Sequence, residues 1–128
     1  MKRYKNKRLY VDISEWGGEK RFITWNLDIL PMIWEFYTLS QLEERFFTYI
    51  CMQYDNAHES NREPLKLSYT DIADIINCSV EGVRKAVKML LKSKLIIVEG
   101  KRQGKAKTQY LPNVELIHKK LKEYLNLA

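Results

Sequence analysis

The sequence predicts a mainly α-helical domain with β-hairpins, an α+β fold, on three observations. Apolar residues recur at helical spacing in five segments, each opened by a residue that caps helix N-termini. Two further regions alternate polar with apolar residues on either side of a Gly-bearing turn. A chain of 128 residues, 45% apolar and 30% charged, is long enough to bury one core and too apolar to remain disordered. One domain is therefore expected, divided into a basic tip and hairpin (1–25), a central core (26–112) and a C-terminal helix (113–128).

Behind the start MKRYKNKRLY, the stretches RLYVDIS and KRFITW alternate, and Gly17-Gly18 between them supplies positive φ, which predicts a β-hairpin. A lone hairpin is marginal, so it needs the helical core or the same hairpin of a second subunit to pack on. Asn26 is expected to cap a short helix over NLDILPMIWEFY, with Pro31 near its first turn, where a missing N–H is harmless. Ser40 and Glu43 have the spacing of a capping box, and Leu42, Phe46, Tyr49, Ile50 and Gln53, widened by Phe47, Cys51 and Tyr54, predict a largely buried helix from Gln41 to about Tyr54. The aromatic set Trp25, Trp34, Phe36, Tyr37, Phe46 and Phe47 is read as core packing in preference to a ligand pocket. DNAHESNREP is polar and rich in breakers, which predicts a loop with a solvated His58.

The stretch SYTDIADIINCSVEGVRKAVKMLLKSKLIIVEG holds two helix starts and a stop. Ser68 with Asp71 predicts a helix from Tyr69, apolar at Ile72, Ala73, Ile75 and Ile76. Asn77 tolerates the left-handed conformation that ends a helix, and Ser79 with Glu81 opens the next, from Val80 to about Lys92. Val80, Val83, Val87, Leu90 and Leu91 should be buried, with Ala86 small enough for a neighbouring helix to come close. Ser79, Glu81, Gly82, Arg84, Lys85 and Lys88 form the opposite, basic side. KSKLIIVEG and KAKTQYLP then flank the basic tip GKRQG, which predicts a second hairpin. Asn113 should cap a last helix with Ile117, Leu121, Tyr124 and Leu125 along one face, either completing the core or joining two subunits, and with His118 in solvent.

Ala73 at the crossing of two short helices, Asn77 in the turn and Val83 in the second helix resemble a helix-turn-helix. The basic hairpin that follows resembles the wing of a winged-helix domain, the resemblance running from Phe22 to Pro112. FITWNLDIL, LSQLEERFF, SYTDIADIINCS and KSKLII are similar to the winged-helix modules at the N-termini of plasmid and phage replication initiators and of DnaD-like proteins. The resemblance implies a winged helix-turn-helix core with an added N-terminal hairpin and C-terminal helix, and a role in DNA replication or transcription regulation. As an alternative it implies a protein-interaction module that recruits a larger replication, partition or transfer complex.

Charge favours DNA. The chain carries +6 overall, yet residues 80–107 hold nine basic against two acidic side chains, and the remainder is close to neutral. That places the excess positive charge on the two elements that would meet a duplex. The expected major-groove reader is the helix starting at Val80, with Arg84 on a guanine and Lys88 on a phosphate. Ser68, Tyr69 and Thr70 are candidates for a phosphate at the preceding helix's positive end, and Lys101, Arg102, Gln103, Lys105 and Lys107 for the backbone or minor groove. Gly82 is expected to let the DNA backbone approach. A few residues on one helix read few base pairs, so a homodimer on a repeated site is expected. Cys51 and Cys78 are expected to be free, buried thiols. No triad, phosphate-cradling loop or metal-ligand spacing is evident, so neither enzyme activity nor a cofactor or metal is expected. With no apolar run of membrane-spanning length and no signal-peptide pattern, no membrane partner and a cytoplasmic location are expected.

Overall fold

The computed structural model describes residues 7–99 and 107–127. They form five α-helices, α1 (Leu30–Phe36), α2 (Gln41–Glu59), α3 (Tyr69–Ile76), α4 (Val80–Lys92) and α5 (Val114–Tyr124). One two-stranded antiparallel sheet, β1 (Ile96–Glu99) with β2 (Gln109–Pro112), lies between α4 and α5 in chain order. The fold is thus mainly helical with a small sheet.

The N-terminal region departs from the expected hairpin. Asp12 and Phe22 form a single antiparallel bridge, and Ile13–Trp16 is a 3-10 turn. The Asp12 carboxylate accepts from the Ser14 N–H at 2.9 Å, and this local side-chain bond draws the backbone away from an extended path. Gly17, at φ 88°, closes the turn. The next helix entry is also different. Thr24, not Asn26, caps it, accepting from the Leu27 N–H at 3.2 Å, and Trp25–Ile29 forms a π turn that runs directly into α1. Pro31, in the first turn of α1, has no N–H to continue a regular α ladder backwards, a local reason for the wider turn before it.

A buried ion pair fixes this entry. Asp28 is fully buried, and its carboxylate accepts from both terminal nitrogens of Arg21 at 2.8 and 2.9 Å and from the Thr24 N–H at 2.7 Å. Burial pushes the carboxyl pKa up, but the Arg21 guanidinium and the Thr24 N–H outweigh it and hold the group below its ordinary value.

The capping box at the start of α2 is formed, Glu43 N–H to Ser40 Oγ at 3.1 Å and Ser40 N–H to Glu43 Oε1 at 3.2 Å. The helix then continues five residues past Tyr54, because Ala57 extends the buried stripe of Phe46, Phe47, Ile50, Cys51, Gln53 and Tyr54. His58 is accordingly in a helix and not in a solvated loop. It is half-buried, its ring edge-on to Tyr54 at 4.9 Å between centroids. Of the aromatic set, Phe46 and Phe47 are buried, Trp25 stacks at a tilt on Phe47, and Trp34 and Phe36 are exposed. Cys51 is buried and Cys78 half-buried, both as free thiols.

In the sheet, Ile96 faces Pro112 and Glu99 faces Gln109, and Leu67 adds an isolated bridge to Thr108 beside β2. The Gln109 amide donates to the Pro64 carbonyl at 2.8 Å, tying the segment before α3 to the sheet. Asn113 caps α5, and Ile117 and Leu121 are buried within the same chain, so α5 completes this core. His118 is half-buried, not solvated: its Nε2 lies 2.8 Å from the Leu9 carbonyl and its ring stands edge-on to Trp16. Burial lowers its pKa. Among the described residues no helix is long and apolar enough to cross a membrane.

Arg21→Ala should destabilise the fold by about 3 kcal/mol at neutral pH, since it leaves a buried carboxylate without its cation. The sign with pH follows from Asp28. Its lowered pKa gives the wild type a contribution that is complete above the unfolded value, about 4, and is lost only below it. In the variant the burial that raises that pKa is opposed only by the Thr24 contacts, so acidification protonates Asp28 more readily and narrows the difference. Urea midpoints of both proteins between pH 7 and pH 4 should converge; a constant gap would mean that the pair does not set the stability of this entry.

Candidate nucleic-acid interface

The turn between α3 and α4 begins at a fully formed capping box. The Ser68 N–H donates to Asp71 Oδ2 at 2.9 Å and the Asp71 N–H donates to Ser68 Oγ at 3.2 Å. These Ser68 contacts, backbone first, hold the Asp71 carboxyl below its ordinary pKa, and Lys107 Nζ, 3.7 Å away, adds to the effect. An internal carboxylate therefore already stands at the positive end of α3. Ser68 is engaged with it through its N–H and Oγ, while Tyr69 is half-buried and Thr70 exposed.

Asn77 ends α3 in the left-handed region, φ 56° and ψ 66°, and its N–H returns to the Ala73 carbonyl. Asparagine tolerates this backbone better than other residues with a Cβ. Ser79 caps α4 two residues later, its Oγ accepting from the Gly82 N–H at 3.0 Å. A longer-range contact holds the pair of helices to α2: Arg45 Nη1 donates to the Ile76 carbonyl at 2.8 Å, satisfying a C-terminal group of α3 with a cation. Arg45 carried no sequence signal, because its partner lies 31 residues away.

On α4 the buried stripe is Val83, Ala86, Val87 and Leu90. Leu91 is half-buried, and one expectation fails: Val80, in the first turn, is 46% exposed; Ile75 on α3 is exposed to the same extent. Ser79, Glu81, Arg84, Lys85 and Lys88 are all exposed, joined by Met89 and Lys92. Four cations and one carboxylate thus share the solvent side of a single helix. Gly82 belongs elsewhere. A Cβ at this position would come within 2.9 Å of Leu42 Cδ2 on α2, so its missing side chain lets the first turn of α4 sit close to α2.

Within this face, Arg84 and Glu81 are paired one helical turn apart. Arg84 Nε donates to Glu81 Oε2 at 2.9 Å and Arg84 Nη2 to Glu81 Oε1. The guanidinium holds the Glu81 carboxyl below its ordinary pKa, and the carboxylate raises that of Arg84. Lys107 is exposed at the start of the returning strand. Lys101, Arg102, Gln103 and Lys105, the expected wing tip, lie outside the described residues.

Among the described residues no group of three or more His, Cys, Asp or Glu side chains is arranged to hold a metal ion. Comparison with protein-family models, with curated proteins and with solved structures finds no match to this chain.

Replacing Asn77 by Ala should cost about 1 kcal/mol, since alanine must then hold a left-handed backbone, whereas Asn77→Gly should leave stability near the wild type. Thermal or urea unfolding of the two variants separates them. Equal losses would mean that the Asn77 side chain, and not its φ, holds the turn.

Proposed function

We propose that this chain is a sequence-specific double-stranded DNA-binding protein built as a winged helix-turn-helix. The observation that carries the reading is the division of α4: Val83, Ala86, Val87 and Leu90 face the core, while Arg84, Lys85, Lys88 and Lys92 face solvent with only Glu81 to offset them. The element order supports it as well. A helix, a short extended segment at Leu67, two helices joined by a tight turn, and a two-stranded sheet follow one another as in winged-helix modules.

In this reading the N-terminal half of α4 enters the major groove, Arg84 grips guanine's two acceptors and Lys88 holds a phosphate. Lys107 and the basic segment before it follow the backbone or the minor groove. Ser68 also caps α3 and Gly82 also packs against Leu42, so both have a structural part besides any contact with DNA. The protein acts as a homodimer, because one short helix reads too few base pairs to define an operator. Its role is that of a transcriptional regulator, or of a replication, partition or accessory factor of a plasmid or phage.

Fluorescence anisotropy with a labelled duplex at several salt concentrations tests this. The wild type should lose affinity steeply with salt, and Lys88→Ala should reduce the log–log slope by about one while weakening binding to all sequences alike. Weak binding by both proteins, flat with salt, would reject DNA as the ligand and turn attention to an acidic protein partner. Sedimentation at micromolar concentration should give twice the chain mass, at least on an operator.

A further inference from the structure

We infer that Glu81 is a positioning residue for specificity: it holds the Arg84 guanidinium side-on and so aims its free edge at one guanine of the operator. The inference rests on the DNA-binding reading above.

The argument is one of edges. A guanidinium offers five N–H donors in a rigid plane, and two of its edges present a parallel pair that fits a bidentate acceptor. One is the side-on pair, Nε with Nη2, and the other is the end-on pair, Nη1 with Nη2. Glu81 takes the side-on pair, with Nε to Oε2 at 2.9 Å and Nη2 to Oε1. Among the described residues nothing takes the end-on pair. A carboxylate that accepted end-on would have blocked the edge that reaches farthest from the helix; this one occupies the edge nearer the side-chain stem. The remaining pair of donors matches guanine O6 and N7, the two acceptors of that base in the major groove.

The placement on α4 suits the task. Both residues are exposed, 57% for the Glu81 side chain and 53% for Arg84, so the free edge is not covered by the fold. Glu81 lies in the first turn, where a carboxylate is favoured by the helix dipole. Arg84 would otherwise be a long side chain with many rotamers, most of which point its fork away from a base edge. Ordering it before DNA arrives removes that loss from the binding step. Among the described residues neither Lys85 nor Lys88 is held by a carboxylate hydrogen bond as Arg84 is, and both are exposed to follow phosphates.

The position of one negative charge on a basic face also makes the inference separable from a simple ion pair. Glu81 repels the phosphate backbone, so its removal should strengthen binding to any duplex. If it also aims Arg84, the same removal should weaken the preference for guanine. A purely structural role for Glu81 would lower both quantities, and a purely electrostatic one would raise affinity and leave preference intact.

The experiment is to select an operator from a random duplex pool with the wild type and then replace its base pairs one at a time. Affinities would be measured for wild type, Glu81→Ala, Glu81→Gln, Arg84→Ala and the double Ala variant, each checked for helix content by circular dichroism. The expected result is a guanine whose preference vanishes in Arg84→Ala and falls roughly tenfold in Glu81→Ala, within the range a bidentate contact supplies. Glu81→Ala should at the same time bind random duplex more tightly, Glu81→Gln should keep part of the preference through its one amide oxygen, and the double variant should match Arg84→Ala in having no guanine preference. An unchanged guanine preference in Glu81→Ala, or an operator with no position sensitive to Arg84, overturns the inference while leaving DNA binding in place. Absence of salt-dependent duplex binding by the wild type overturns both.

Discussion

Seven side chains of α2, from Phe46 to Ala57, point into the interior, and a stripe that wide cannot be covered by one neighbour. It is covered by α3 and α4 together with the buried strand β2, with Phe46 meeting Tyr110 edge-on and Trp25 meeting Phe47 from the N-terminal side. Burying these aromatic and branched side chains is the largest favourable contribution available to a chain of this size. The placement of the elements around it follows. The helix extends to Glu59 because Ala57 still touches the core, and the chain returns through Pro64 and Leu67 to reach β2 before α3 begins.

The character of the outer face of α4 is a consequence of that packing. Once Val83, Ala86, Val87 and Leu90 are turned toward α2, the 3.6-residue period leaves Glu81, Arg84, Lys85, Lys88 and Lys92 no direction except outward. Gly82 lets the first turn of α4 sit against Leu42, and Arg45 ties the end of α3 to α2 from the other side. The orientation of the basic face is therefore held by contacts with α2 and by the left-handed turn at Asn77, none of which involves a charge on the face itself. Substitutions on the face should have little effect on folding.

At the other end of the molecule, specificity of structure comes from polar groups. Asp28 is buried and satisfied by Arg21 and Thr24, and the Leu9 carbonyl meets His118. Breaking the first leaves an uncompensated buried charge and breaking the second an unsatisfied polar group, so these contacts select one path for a segment that its hydrophobic pattern alone leaves open. The alternating residues between Arg8 and Trp25 suggested strands, yet the Asp12 cap, the left-handed Gly17 and the Arg21–Asp28 pair fold them into a 3-10 turn, one bridge and a π turn. A period-two pattern is satisfied by any conformation that buries Leu9, Ile13 and Ile23, and here polar bonds chose among them.

Most of what the sequence determined by itself rests on neighbours within about four residues. The caps at Ser40, Ser68, Ser79 and Asn113, the left-handed end at Asn77, the bounds of α3 and α4 and the concentration of charge on one side of α4 all depend on such local bonds and on helical phase, which are written directly in residue order. Only the tertiary structure decided the rest. It carried α2 past a polar stretch, buried half of His118, exposed Val80 and Ile75, gave Gly82 to Leu42 and placed Arg45 on Ile76. Each of these depends on a partner far away in the chain, and a pattern of residues records that a surface is apolar or charged without recording what will come to lie against it.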